Sequence, residues 1–237
     1  LDRINQLKRT HRYFGFRWFP YTDTVQLNFM DLTHADESRP GMLQHARHLM
    51  MDNGALWMLS EMSRRIPRSS GTASRLSARA AADSASVGEP HQRHGTSRLA
   101  RYDVTEFGIP VQRLPGVMRQ IDQLMRALRF RVHMPLEVCF AKRDDLSLSP
   151  NYQRDSAFIA VRQYRGMPHA DYFAAITDIL DRNEGRPSWG TLHDKTSRDF
   201  AQLYPRFADF QRLRAELDPR GVFLNPHLAA IFGVEQH

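Results

Sequence analysis

The sequence predicts an α+β fold: a mixed or antiparallel sheet covered on one face by helices. Three observations carry this. Short segments alternate apolar and polar residues with the period of two of a half-buried strand. Longer segments place apolar residues three and four apart, the spacing of an amphipathic helix. After an N-terminal hairpin the order is strand, helix, strand, strand, helix, in which crossovers run through helices on one side of a sheet.

The elements follow in chain order. Residues 13–19 are rich in aromatics, and Val25, Gln26, Leu27, Asn28 and Phe29 alternate. Both read as strands joined by a turn over 20–24, with Val25, Leu27 and Phe29 on one buried face. Residues 42–62 favour helix and carry Leu49, Met50, Leu56, Trp57 and Leu59. One or two helices are expected there, with a break near Asn53 and Gly54. Residues 66–99 are dominated by Ser, Arg, Ala, Gly and His and hold no aromatic side chain. Such a stretch buries too little surface to offset its ordering entropy, so much of it is expected to be mobile. A short helix over 74–82 is allowed by propensity. Strand character returns at 104–110. Val117, Ile121, Leu124, Met125 and Leu128 mark a helix over 115–130. Residues 133–140 and 156–164 read as strands. Tyr172, Phe173, Ile176, Ile179 and Leu180 form the stripe of a helix over 171–180. A single further helix is expected over 199–217, ended by Asp218, Pro219, Arg220 and Gly221.

Composition sets the class. A hydrophobic fraction of 41% and a charged fraction of 25% are those of a soluble globular protein. No apolar run is long enough to span a bilayer. The one cysteine, Cys139, excludes an internal disulfide and a cysteine metal cluster, and the histidines are scattered. No metal is expected, and a reducing, cytoplasmic location is compatible, with membrane association left open. The net charge of +7 is concentrated: 64–101 holds eight arginines against Asp83 and Glu89. That stretch suits an anionic partner such as nucleic acid or lipid, but it lacks aromatics for base stacking. A solvated insertion is the preferred reading, with no specific nucleic-acid partner.

A series of phrases in the second half points to a chemistry. They are Pro135-Leu136-Glu137-Val138-Cys139, Leu148-Ser149-Pro150, Gln153-Arg154-Asp155-Ser156, the run from Arg186 to His193 (RPSWGTLH), and the run from Leu217 to Pro226 (LDPRGVFLNP). In this order they resemble the C-terminal part of the sugar-1,4-lactone oxidases, the family of the aldonolactone and alditol oxidases among flavoproteins of the vanillyl-alcohol-oxidase type. Phe16-Arg17-Trp18-Phe19-Pro20 and Glu106-Phe107-Gly108-Ile109-Pro110 resemble earlier phrases of the same family. The resemblance implies the ferredoxin-like substrate domain of FAD-linked oxidases. It places a substrate domain over 1–195, with the basic insertion at 64–101. A C-terminal helix and tail over 196–237 would pack on a flavin domain. The chain starts at Leu1 and carries neither a G-x-G-x-x-G nor a Walker-type loop. A fragment or processed chain is therefore expected, served by an upstream or separately encoded FAD-binding domain.

The resemblance also names site residues. The family carries a Glu-x-Arg pair on one strand face; here it stands as Glu137 and Cys139, so a thiol replaces a guanidinium. The family's His-Trp-Gly-Lys stands as Ser188-Trp189-Gly190-Thr191, with Thr191 at the lysine position. Glu137 is the catalytic candidate. Arg154, Arg162 and Trp189 are expected at the substrate, Arg162 as a replacement cation. His193 and Asn225 are expected near the flavin. Plainer roles compete: an exposed-face glutamate for Glu137, a half-buried strand cysteine for Cys139, a structural ion pair or turn for Arg154 and Asp155, and core packing for Trp189. The implied activity is FAD-dependent oxidation of a sugar-lactone or polyol hydroxyl, of the D-arabinono-1,4-lactone oxidase type. The alternative is a catalytically impaired or non-catalytic relative acting as a partner or binding module.

Overall fold

A computed structural model describes residues 2–35, 54–81, 85, 87–88 and 100–234. Six strands form one sheet: β1 (Tyr13–Trp18), β2 (Val25–Met30), β3 (Tyr102–Pro110), β4 (Leu136–Ala141), β5 (Ser156–Tyr164) and β6 (Arg186–Pro187). Their order is β2-β1-β4-β5-β3-β6, and every neighbouring pair is antiparallel. The helices are α1 (Asp2–Thr10), α2 (Ala55–Arg65), α3 (Ser70–Ala80), α4 (Leu114–Leu128), α5 (Ala170–Arg182), α6 (Ser197–Leu203), α7 (Phe207–Leu217) and α8 (Pro226–Phe232). The run β3-α4-β4-β5-α5-β6, with sheet order β4-β5-β3-β6, is the split β-α-β pattern of a ferredoxin-like unit. The β1–β2 hairpin extends it beyond β4.

The sheet has two unlike faces because strand side chains alternate. Phe14, Phe16, Leu136, Val138, Ile159 and Phe107 point to one face, where Val117, Ile121 and Met125 of α4 and Ile176 and Leu180 of α5 bury them. Helix α4 ends at Arg129, which takes the left-handed conformation (φ 49°). A second, smaller core gathers Phe200, Tyr204, Phe207, Ile231 and Phe232 from α6 to α8.

Two expectations are corrected. Val25, Leu27 and Phe29 are 40–46% exposed, not buried. Their alternation is real, but β2 is the edge strand and lies beyond the helix layer; only Phe29 gains a stack on Phe14. The helix over 199–217 is two helices, because Pro205 lacks an N–H and pushes Tyr204 into an extended conformation (ψ 105°). Within 64–101, the short helix allowed over 74–82 runs from Ser70 to Ala80 and is packed. Its small side chains do the packing: Ala73 and Ser74 are fully buried, and Ser74 Oγ donates to Pro20 O at 2.6 Å. Most of 82–99 lies outside the described residues, as do 36–53 with the expected break at Asn53. Helix α1 was not anticipated; Ile4 and Leu7 seat it on the core.

Helix α2 is tied to the rest through a buried histidine. His133 is fully buried, and its Nε2 lies 2.8 Å from Ser60 Oγ. Burial pushes its pKa down to about 4, against about 6.5 for a free imidazole. The unfolded chain therefore takes up this proton first on acidification, and the fold loses stability as pH falls from about 6.5 towards 4. Urea unfolding across that window is expected to show the loss, and His133→Phe is expected to remove this histidine's share. A His133→Phe variant with the same pH slope as the parent would contradict the assignment.

Candidate functional site

Among the described residues no helix layer lies over the middle of the other face, where Arg17, Glu137, Arg162 and Glu106 present charged side chains; α2 meets only its Tyr164 end. The register aligns Arg17, Glu137, Ala160 and Glu106 in one row across β1, β4, β5 and β3. With strands about 4.8 Å apart, the two glutamates stand roughly 10 Å apart at the backbone. Between them Ala160 presents only a methyl group, which leaves a gap over the middle of the row. The adjacent row is Gly15, Cys139, Phe158 and Gly108. Its glycines admit neighbours: a Cβ on Gly15 would meet Val138 O at 2.8 Å and the Tyr13 hydroxyl at 3.3 Å, and one on Gly108 would meet the Phe158 ring at 3.2 Å. The result is an open cavity of about 740 Å³, walled by Tyr13, Tyr102, Glu106, Glu137, Cys139 and Arg162, with Arg101 and Arg165 at its rim.

Glu137 is clasped by two guanidinium groups. Arg162 forms an ion pair with Oε2, and Arg17 Nε stands 3.6 Å from Oε1. Arg162 lies over the Tyr102 ring at 5.1 Å and its side chain is only 12% exposed. Burial, then the carboxylates of Glu106 and Glu137, push the Cys139 thiol up to about 12, so it stays protonated and supplies no charge. Burial and the same neighbourhood raise the Tyr13 phenol.

Glu106 is held differently. Ser188 Oγ donates to its Oε1 at 2.5 Å, and Ser188 N donates to its backbone O at 2.8 Å. Glu106 N donates to Thr191 Oγ1 at 3.2 Å, and that hydroxyl donates to Ser188 O at 3.0 Å. The segment from Ser188 to Thr191 is thus laced to β3 beside Glu106, and Thr191 is occupied with backbone groups.

The other candidates lie elsewhere. Each guanidinium nitrogen of Arg154 donates to a backbone carbonyl: Nε to Pro150 at 3.3 Å, Nη1 to Glu184 at 2.8 Å and Nη2 to Gly108 at 2.9 Å. Burial, with Arg186 nearby, lowers its pKa to about 10. Arg154 is a clamp for the loop before β5 and does not line the cavity. Trp189 packs on Phe200 and Phe232 in the second core, and its Nε1 donates to Leu148 O at 3.0 Å. Asn225 caps α8, its Oδ1 accepting from Leu228 N at 2.8 Å. His193 lies 5.3 Å from the Phe200 ring and 5.4 Å from His227 by centroids. Both its ring nitrogens are shielded and lack a partner among the described residues. Burial, then His227, lower its pKa. The sequence reading therefore brought Glu137, Cys139 and Arg162 together and missed Arg17 and Glu106. Alternation was the signal that could have found them: Arg17 lies between buried Phe16 and Trp18, and Glu106 between buried Thr105 and Phe107.

The comparisons agree with this architecture. A profile of the family described as D-arabinono-1,4-lactone oxidase matches residues 1–231. The L-gulono-1,4-lactone dehydrogenase of Mycobacterium tuberculosis (strain ATCC 25618 / H37Rv) is 30% identical over 236 residues, covering 98% of this chain and 54% of that protein. The L-gulonolactone oxidase of Scyliorhinus torazame is 31% identical over 238 residues, covering 98% of this chain and 53% of that protein. The alditol oxidase of Streptomyces sp. (strain IKD472 / FERM P-14339) is 32% identical over 130 residues, covering 52% of this chain and 30% of that protein. The chain spans about half the length of the two lactone-oxidising relatives.

The clamp at Arg154 can be checked by stability. Arg154→Ala removes donors from the carbonyls of Pro150, Glu184 and Gly108, of which Pro150 keeps Arg186 Nη1, and is expected to cost about 2–4 kcal/mol in urea unfolding. An unchanged midpoint would contradict the clamp.

Proposed function

The chain belongs to the D-arabinono-1,4-lactone oxidase family, and on that premise we propose that its open sheet face binds a sugar lactone or polyol for oxidation by a flavin. The observation that carries this is the cluster of Glu137, Arg162 and Arg17 on a face whose middle is uncovered by helix among the described residues. Carboxylates accept hydrogen bonds from sugar hydroxyls, and guanidinium groups donate to a ring or carbonyl oxygen. Oxidation of a carbinol carbon builds negative charge on its oxygen, and a fixed guanidinium stabilises that charge. Arg162 provides the cation, since Cys139 remains a neutral thiol. Glu137 fixes the position of Arg162.

A bound flavin would supply the hydride acceptor. The described residues suit the reacting end of such a site rather than its dinucleotide: the charged lining of the open face, with Arg162 and Glu106, fits a substrate carbon beside a hydride acceptor. Asn225 is already spent on its helix cap. Exposed apolar residues on the 217–224 loop (Leu217 77%, Val222 66%, Phe223 84%) support packing of the C-terminal segment on a flavin domain. Cys139 also supports a second reading, a site that binds its sugar but turns it over slowly.

Calorimetric titration with L-gulono-1,4-lactone, D-arabinono-1,4-lactone and an alditol tests the binding. Joined to a flavin domain of the family, the chain is expected to let lactone bleach flavin absorbance without oxygen. Arg162→Ala is expected to slow that bleaching about 100-fold. Binding without bleaching would favour the second reading, and no binding to any of the three would contradict both.

A further inference from the structure

The two carboxylates of the open face are not equivalent. Glu137 has a guanidinium on each side, with Arg162 on Oε2 and Arg17 near Oε1. A carboxylate so paired is a poor base, because taking a proton forfeits both attractions. Glu106 stands in the same row, across the methyl of Ala160. Among the described residues no cation pairs with it; its Oε1 accepts one hydrogen bond, from Ser188. It lines the cavity, and its charge reaches the Cys139 thiol. A hydroxylated carbon seated over Ala160 would lie between a fixed cation pair on one side and an unpaired carboxylate on the other.

We infer that Glu106, not Glu137, is the carboxylate that receives the substrate's hydroxyl proton. In the balanced step, the C–H bond breaks and its electron pair leaves as hydride for a two-electron acceptor of the flavin class. The O–H bond breaks and its proton passes to Glu106, and the carbon and oxygen become a carbonyl. Arg162 steadies the oxygen as that proton leaves. Ser188 is a positioning residue: its O–H donates to Glu106 Oε1 and aims the carboxylate. The inference rests on the proposed reading of the open face as a sugar-lactone site.

The groups facing Glu106 permit a clean pH test. From β4 these are Glu137 and Cys139, from β1 Tyr13 and Arg17, from β5 Arg162, from β3 itself Tyr102, from the strand ends Arg101 and Arg165, and from the segment after β6 Ser188 and Thr191. Cys139 and Tyr13 are both raised, away from the acid range. A hydrogen bond to an ionised acceptor is lost when the acceptor is protonated, so lactone binding is expected to weaken about tenfold from pH 7 to pH 4.5.

The experiment is calorimetric titration of the chain with L-gulono-1,4-lactone between pH 4.5 and 8, with circular dichroism at each pH to follow the fold. Glu106→Gln keeps the shape and the Ser188 contact and is expected to abolish the acid limb. Ser188→Ala removes a bond to the charged form and is expected to move the limb to higher pH. Glu137→Gln is expected to keep the limb. An acid limb that persists in Glu106→Gln, or one that is unmoved in Ser188→Ala, overturns the inference while leaving the lactone site standing. No lactone binding by the parent chain overturns the site reading and the inference together.

Discussion

The site depends on one charge cluster placed on a sheet face that the helices leave open. Glu137 is flanked on its own strand by Leu136 and Val138, both fully buried under α4 and α5. That burial fixes the pleat of β4 and so fixes the direction of Glu137. A one-residue slip would drive the carboxylate into the apolar core and turn Val138 outward. The hydrophobic layer thus sets the geometry of the polar one. Arg162 and Arg17 arrive by the same rule from β5 and β1, each between buried neighbours. A partly buried ion cluster of this kind adds little net stability, since desolvation offsets its attraction. Its contribution is orientation: two guanidinium groups are held against one carboxylate on the open face.

Much of the fold was legible because its elements are strongly periodic. The strand 156–164 and the helices beginning near 115 and 171 follow directly from apolar spacing, and the alternation of β4 foretold that Glu137 and Cys139 share a face. The misreadings have physical causes. Alternation in β2 shows which residues share a side, but not whether anything covers that side. Pro205 was passed over inside a long amphipathic stretch. Helix α3 packs through Ala73 and Ser74, small residues that carry almost no hydropathy signal.

The site was legible only in part. Glu137, Cys139 and Arg162 lie on neighbouring strands, so their meeting could be reasoned from strand position and family resemblance. Glu106 and Ser188 are 82 residues apart, and their contact exists only because β6 and the segment after it run alongside β3. Arg154 belongs to a conspicuous phrase, yet its nitrogens bind carbonyls. A recognisable phrase can mark a turn that the fold needs as readily as a side chain that the chemistry needs. The Cys139 thiol carries no charge, and a guanidinium reaches Glu137 from the neighbouring strand.

The central claim is that Arg162 and Glu137 act as a coupled pair, with Arg162 serving as the cation that position 139 lacks. A double-mutant cycle in urea unfolding, using Arg162→Met, Glu137→Gln and the two together, measures that coupling most directly. A favourable coupling of about 1–3 kcal/mol is predicted for a charge pair this shielded. Effects that add to within about 0.5 kcal/mol would contradict the account.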